Sequence, residues 1–487
     1  MVQPIGPFST ATDMLGALRA REISSSELVE MHLARIAELD APVNSIPVRT
    51  ADRARDAAQR ADAAIARGAH APLLGLPMTV KESTQVAGLP QTAGVEEFKN
   101  HRPSTDGPVA RSVFAAGACL LGKTNLPQAG ADCQTDNALY GRTNNPWNLM
   151  RTPGGSTGGG AAAPAAGLTP LEIGSDSGGS IRVPAAFCGV YGHRPSETAI
   201  PKAGMSPMIE IENPGTVLSV QGPLARSARD LELLFDVMAG PVIGEAVGWK
   251  LALPGARHTR LRDFRVAVMP EMPWVKASDE MLGKVEELAS FLSQRGARVA
   301  QAMPVSSLES HFDDFLRLHS VMAPALDLER FYGDFRRQVD GRRRREGLEE
   351  HMPEIQAIGM SMSVAAYLDL LFRREVRRER WRTFFADWDV LIGPMALDAA
   401  FEHQTGAIAE RTLCIDGETV PYCMNLTYPA WGTLTGQPST AFPAGLNRAG
   451  LPLGLQAIGP YLEDRTTLRF AQLLEREWQG FVPPPGY

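Results

Sequence analysis

The sequence lacks the features that would send a chain into a membrane, onto nucleic acid or through an oxidising compartment. No run of about 18 apolar residues occurs, so no segment suits a membrane-spanning helix. The opening MVQPIGPFSTATDML has no basic stretch followed by an apolar core, which predicts no signal peptide. Cationic side chains are outnumbered 48 to 55, and the net charge of −7 argues against a nucleic-acid or anionic-membrane surface, while leaving room for a local basic patch. Only five cysteines are present, Cys119, Cys133, Cys188, Cys414 and Cys423, with no C-x-x-C pair among them. They read as buried or free thiols in a reducing, cytoplasmic compartment. No internal repeat and no low-complexity tract is visible. The run Arg342 to Arg345 reads as a solvated face.

What is present is a globular composition, 44% hydrophobic against 21% charged, in a chain of 487 residues. That length exceeds one ordinary core at roughly 100–200 residues per domain, but fits one large α/β unit with an inserted or appended region. Residues 8–70 look helical. Ser24 to Glu27 is a capping box, Val29, Leu33 and Ile36 mark one face of the helix behind it, and an alanine-rich helix over 51–68 ends at Gly68. From Leu73 to about residue 240, short apolar runs such as LGLPMTV and GACLLG alternate with alanine-rich segments, which predicts a mixed α/β sheet. Residues 240–262 resemble a connection. Residues 265–302 read strand, helix, strand; residues 308–390 are helix-rich; DVLIGP at 389–394 returns to the sheet; residues 436–480 close the fold.

Three glycine-rich motifs compete for the chemistry. GACLLGKT at 117–124 matches the phosphate-loop pattern, but Ala-Cys-Leu-Leu between its glycines reads as a strand and Pro127 follows closely, so ATP binding is rejected. GGSTG at 154–158 matches the nucleophile elbow of α/β-hydrolases, with Ser156 as nucleophile and His258 or His403 as conceivable triad partners. The preceding NNPWNLMRTP is a poor strand, which weakens that reading. GSDSGGSIRVPAAFCG at 174–189 places Ser180 between a polar glycine-rich loop and a helix. The N–H groups of Ser177, Gly178, Gly179 and Ser180 could converge there on a developing oxyanion, although an ordinary tight turn would have the same composition.

The ensemble resembles the amidase signature family of serine hydrolases. The matching stretches are VKES at 80–83, GKTNLPQ at 122–128, YGRTNNPWN at 140–148, RTPGGSTGG at 151–159 and GSDSGGSIRVPAAFCGVYGHRP at 174–195, followed by QGPLARSARDL at 221–231 and two C-terminal stretches. The similarity covers nearly the whole chain and is weakest over about 245–390. It implies that Ser180 is the nucleophile, Ser156 an intermediate proton carrier held by a cis peptide bond, and Lys81 the base. Asp176 and Arg182 match positions that support the nucleophile loop, and Gly155 relieves crowding before Ser156. The chain departs from the common pattern at Glu82, Thr157, Gln128 and His193-Arg194, none of which removes a triad member; Thr157 keeps a hydroxyl. A serine hydroxyl attacks only with a base in reach, and a lysine is a base only when neutral, which burial promotes. MTVKES places Lys81 at the end of an apolar strand, where burial is expected.

The resemblance implies one α/β amidase signature domain over 1–487, a mixed twisted β-sheet core covered by α-helices. Its parts would be N-terminal helices (8–70), a signature core (73–240), a variable, helix-rich substrate-side region (245–390) and a C-terminal return to the core (391–487). The expected enzyme is a cytoplasmic amide hydrolase, monomer or homodimer, working on a small amide or carbamate, with aryl amides and urethanes as candidates. Neither metal nor other cofactor is expected, and no nucleic-acid or membrane partner. Met205, Met208, Met322, Met360, Met362 and Trp431 hint at an apolar pocket, although methionine more often fills cores. Two rivals stay open: an amidotransferase subunit releasing ammonia from glutamine, and a non-catalytic binding protein, which should have lost triad members.

Overall fold

Apolar runs too short for helices and bounded by glycine, proline or charge form the sheet. In the computed structural model, which describes residues 4–207, 211, 214–241, 244–321 and 358–487, PMTVK becomes β2 (Pro77–Lys81), CLLGKT β3 (Cys119–Thr124) and VLIGP β9 (Val390–Pro394), each buried along its whole length. The remaining strands are β1 (Val48–Arg49), β4 (Leu171–Asp176), β5 (Tyr191–Arg194), β6 (Val220–Ala225), β7 (Arg265–Val268), β8 (Arg298–Gln301), β10 (Thr412–Ile415), β11 (Glu418–Pro421), β12 (Ser439–Leu446) and β13 (Pro452–Ile458). Eleven strands form one sheet in the order β1-β3-β2-β4-β6-β5-β12-β13-β9-β7-β8. β3, β2 and β4 are parallel, as are β9, β7 and β8. β6, β5, β12 and β13 run antiparallel between the two groups. The expected mixed α/β sheet is therefore present, and strands from the first and last thirds of the chain share it.

Helices cover this sheet: α1 (Ala11–Ala20), α2 (Ser25–Val43), α3 (Ala51–Ala66), α4 (Pro108–Ala115), α5 (Gly158–Ala165), α6 (Arg182–Cys188), α7 (Ala228–Met238), α8 (Asp279–Gln294), α9 (Leu308–Ser320), α10 (Val364–Asp387), α11 (Ala430–Thr435) and α12 (Asp464–Glu477). α2 starts with the capping box read from the sequence: Glu27 N donates to Ser24 Oγ at 3.1 Å, and Ser24 N donates to a Glu27 carboxylate oxygen at 2.8 Å. The alanine-rich helix stops at Ala66, two residues before Gly68, and Gly68 takes φ +80°. The two-residue strand β1 and the β10–β11 hairpin had no counterpart in the sequence reading. Both are short, and pairing rather than composition defines them.

The phosphate-loop match is a buried strand, β3. Its Lys123 is spent internally, with Nζ donating to the Pro90 carbonyl, and burial lowers its pKa to about 8. Ser156 of the elbow motif follows an irregular segment rather than a strand; the residues before it form only isolated bridges. Met208, Met322 and Arg342 to Arg345 lie outside the described residues.

Two small helices carry the site. α5 is GGGAAAPA and every residue of it is buried. A Cβ on Gly159 would sit 2.5 Å from Asn125 N and 2.6 Å from Ser45 O, so the bare backbone lets α5 lie directly on its neighbours. α6 packs against β5, β12 and β13. There Gly454 of β13 faces Ala186 of α6, and a Cβ on Gly454 would overlap the Ala186 Cβ and lie 2.6 Å from its Cα. Gly454→Ala should therefore destabilise the protein by about 1–3 kcal/mol through overpacking. A thermal denaturation midpoint unchanged from the parent would show that this contact is loose.

Candidate active site

The parallel register of β3, β2 and β4 sets the site. Thr79 pairs with Glu172 and Val80 with Ile173, so Lys81 at the carboxyl end of β2 faces the end of β4 and the loop beyond it. The carboxyl ends of parallel strands are where α/β sheets commonly place their ligands. Lys81 is 1% exposed, and its Nζ reaches three hydroxyls: Ser156 Oγ at 2.6 Å, Ser175 Oγ at 3.1 Å and Thr157 Oγ1 at 3.2 Å. Three acceptors match the three protons of an ammonium, and loss of one proton leaves a lone pair aimed among the same hydroxyls. Burial lowers the Lys81 pKa to about 7, against the opposing pull of Glu172 and Asp176. Glu172 is itself buried and accepts a hydrogen bond from Thr124 Oγ1 at 2.7 Å. Burial raises its carboxyl to about 8, against the hydrogen bonds from Thr79 and Thr124 and the charge of Lys81.

Ser156 follows a cis peptide bond from Gly155, as the family resemblance implies. A Cβ on Gly155 would overlap the Asp132 carbonyl, so the loop of residues 128–135 closes directly onto this turn. That loop is clamped from the C-terminal third. Asp132 accepts from Tyr422 Oη at 2.6 Å and Arg411 Nη1 at 2.5 Å. The Ser156 turn is tied to the second serine through the backbone, because Thr157 N donates to the Ser180 carbonyl at 3.0 Å. The Ser180 side chain is half-buried, and its hydroxyl has no hydrogen-bond partner among the described residues.

Asp176 and Arg182 shape the loop between β4 and α6. Asp176 accepts from Gly179 N at 2.9 Å and Ile181 N at 3.1 Å, and forms a two-pronged pair with Arg182 through Nε at 3.0 Å and Nη2 at 3.1 Å. Burial alone would raise the Asp176 carboxyl, but Arg182, Arg194 and the Gly179 amide hold it down at about 2. Arg182 also reaches Thr433 Oγ1 at 2.7 Å, the Pro429 carbonyl at 3.2 Å and Gln456 Oε1 at 3.0 Å. Gly179 takes φ +104°, which turns its amide toward Asp176. Of the four amides expected to face an oxyanion, the one at Gly179 is thus already donated to a carboxylate; those of Ser177, Gly178 and Ser180 are the ones left to consider.

Two histidines are committed elsewhere. His193 lies 2.9 Å from Thr440 Oγ1 and 3.2 Å from Asp464, and His258 lies 3.1 Å from Asp389. The side chain in hydrogen-bond reach of Ser156 Oγ is a lysine, which removes the geometric basis for an α/β-hydrolase triad at that serine. The apolar hints divide. Met205, Met360 and Met362 are half-buried, whereas Trp431 is wholly buried and stacked 4.7 Å from His311, inside the core between α9 and α11. Sequence reading missed Ser175 and Gln456. Ser175 lies within the quoted motif beside Asp176, so its position was visible but its partner was not.

Comparison with known proteins gives the family. A family model described as Amidase matches residues 27–468. The chain is 32% identical over 482 residues, 97% of each protein, to the putative amidase AmiB2 of Mycobacterium tuberculosis (strain ATCC 25618 / H37Rv). It is also 32% identical over 492 residues, 96% of each, to a glutamyl-tRNA(Gln) amidotransferase subunit from Synechococcus sp. (strain CC9605). A chain solved in work on the origins of an s-triazine catabolic enzyme superposes with TM-score 0.81 at 27% identity, covering 97% of this chain and 100% of that one. A bacterial aryl acylamidase of the amidase signature family superposes with TM-score 0.80 at 24% identity over 97% and 96% of the two chains, a likeness of fold. Sequence motifs, sheet order and these matches converge: the chain belongs to the amidase signature family and is an enzyme of amide C–N bonds.

Proposed function

We propose that this protein is a single-domain amidase that hydrolyses small uncharged amides or carbamates through an acyl-enzyme on Ser180. One observation carries the reading: a buried lysine with its pKa lowered to about 7 stands 2.6 Å from Ser156 Oγ. Ser180 Oγ bonds to the carbonyl carbon and passes its proton to Ser156, which passes one to Lys81. The amides of Ser177, Gly178 and Ser180 meet the oxyanion, while Gly179 and Asp176 hold the turn. The C–N bond breaks as Ser156 protonates the leaving nitrogen and recovers a proton from Lys81. Water then attacks the ester, its proton following the same route, and Ser180 is restored. Thr157 and Ser175 hold Lys81 in place in both charge states. The same steps cleave an ester or a carbamate, and aryl amides and urethanes are the substrates to try first. Five free cysteines fit a reducing, cytoplasmic setting.

The amidotransferase relatives favour a second reading, release of ammonia from glutamine beside companion chains. A hydrolysis panel on the isolated chain, with glutamine, anilides, aliphatic amides, esters and carbamates, separates the two. Turnover of anilides or carbamates without companions supports the amidase; turnover confined to glutamine supports the amidotransferase component.

Ser180→Ala should lose activity by at least about a thousandfold while keeping the parent's melting temperature. A fluorophosphonate probe should label Ser180 in the parent; mass-spectrometric assignment of the adduct to Ser156 would overturn the assignment of nucleophile.

The pH profile tests the base. Lys81 works only when neutral, so kcat/KM should be low in acid and rise with pH through about 7, where Lys81 loses its proton. Lys81→Ala should remove that limb together with nearly all turnover. A rising limb that survives the substitution would place the proton elsewhere.

A further inference from the structure

α9 brings an uncommitted imidazole to the nucleophile loop. His319 sits in the last turn of α9, its ring 5.4 Å from that of Phe315 one turn earlier. It lies against Gly178, two residues before Ser180: a Cβ on Gly178 would come within 2.9 Å of His319 Nε2 and 3.4 Å of Leu426 Cδ2. The glycine is what lets the imidazole approach the loop so closely. Unlike His193 and His258, His319 makes no hydrogen bond among the described residues. Its ring is only partly covered, whereas Leu316, Leu318 and Ser320 beside it are buried. Burial lowers its pKa to about 4 against a weak opposing pull from Asp176. At neutral pH it therefore carries one N–H donor and one ring-nitrogen acceptor.

A ring nitrogen beside this loop that has no partner among the described residues is available to pair with what the loop holds. Beside this loop a bound substrate can be that partner. A substrate whose carbonyl oxygen rests on the amides of Ser177, Gly178 and Ser180 carries the first atoms of its acyl part alongside Gly178. Leu426 and a neutral ring line this wall, and the carboxylate of the loop clasped over Ser156, Asp132, is taken by Tyr422 and Arg411. The surroundings thus suit an uncharged group with one hydrogen-bonding atom. We propose that His319 is a specificity residue that hydrogen-bonds a heteroatom one carbon removed from the scissile carbonyl, such as the ether oxygen of an alkoxyacyl amide. This rests on Ser180 being the nucleophile and on its loop holding the oxyanion.

Two anilides that differ only at this atom test it. Methoxyacetyl-4-nitroanilide has an ether oxygen where butyryl-4-nitroanilide has a methylene. The quantity read is the ratio of their kcat/KM values, compared between parent and variant so that intrinsic reactivity cancels. His319→Phe, which keeps a ring against Phe315, and His319→Leu should each lower that ratio by about five- to tenfold, the size of one neutral hydrogen bond. His319→Gln, which keeps a neutral donor and acceptor, should restore part of it. Fluorophosphonate labelling of Ser180 should persist in every variant, which shows that the nucleophile and its loop are intact. A ratio unchanged within twofold in both apolar variants, with Ser180 still labelled, overturns the role of His319 alone. Failure of the parent to be labelled at Ser180 overturns the catalytic reading on which the role depends.

Discussion

A primary amine buried at the end of a strand is the constraint around which this fold is arranged. Taking Lys81 out of water penalises its charged form, and the penalty is bearable only because three hydroxyls converge on Nζ. Those hydroxyls come from two places, the turn before α5 and the end of β4. The parallel pairing of β2 with β4 brings the second near, and the small residues of α5 let the first come down onto the sheet. A lysine at an exposed strand end would satisfy itself with water, stay protonated and have no use for this scaffold. Burial draws an ordinarily cationic residue type toward neutrality, with the carboxyl of Glu172 nearby.

A second buried charge organises the other half. Asp176 and Arg182 are fully buried, and each would be expensive alone. Their pairing is directional. The carboxylate gathers the Gly179 and Ile181 amides and so draws the turn around Ser180, while the guanidinium spreads to β13 and α11. The first pair of elements supplies chemistry and the second supplies position. The backbone bond from Thr157 to Ser180 joins them, so a displacement of one serine turn is felt at the other.

How much of this could be read without coordinates depended on distance along the chain. Lys81, Ser156 and Ser180 stand in glycine-rich or strand-end motifs whose composition restricts the backbone, and the strand at Cys119–Thr124 was legible because leucines cannot wrap a phosphate. Thr157 was noticed for its retained hydroxyl, and the structure gives that hydroxyl a partner. Gln456 was not legible: it sits in an ordinary apolar strand, and nothing in LPLGLQAIG says that its amide meets an arginine 274 residues earlier. His319 was equally silent, a lone histidine on an amphipathic helix in the part of the chain with the weakest motifs. Gly179 shows the opposite failure. Its composition suggested an amide free for an oxyanion, whereas the carboxylate 3 residues earlier decides where that amide points.

The link from Arg182 to Gln456 also has a meaning in time. Chains are made from the N-terminus at roughly 5–20 residues per second, so the 274 residues between these partners correspond to on the order of tens of seconds of synthesis. Through that interval the serine turns and the lysine strand already exist as polypeptide, but the arginine behind the Ser180 turn lacks its support from β13. The bracing of Arg182 is completed only when the last strand has emerged and docked. A ribosome-bound fragment ending before that strand therefore carries Lys81, Ser156 and Ser180 without the strand that braces Arg182.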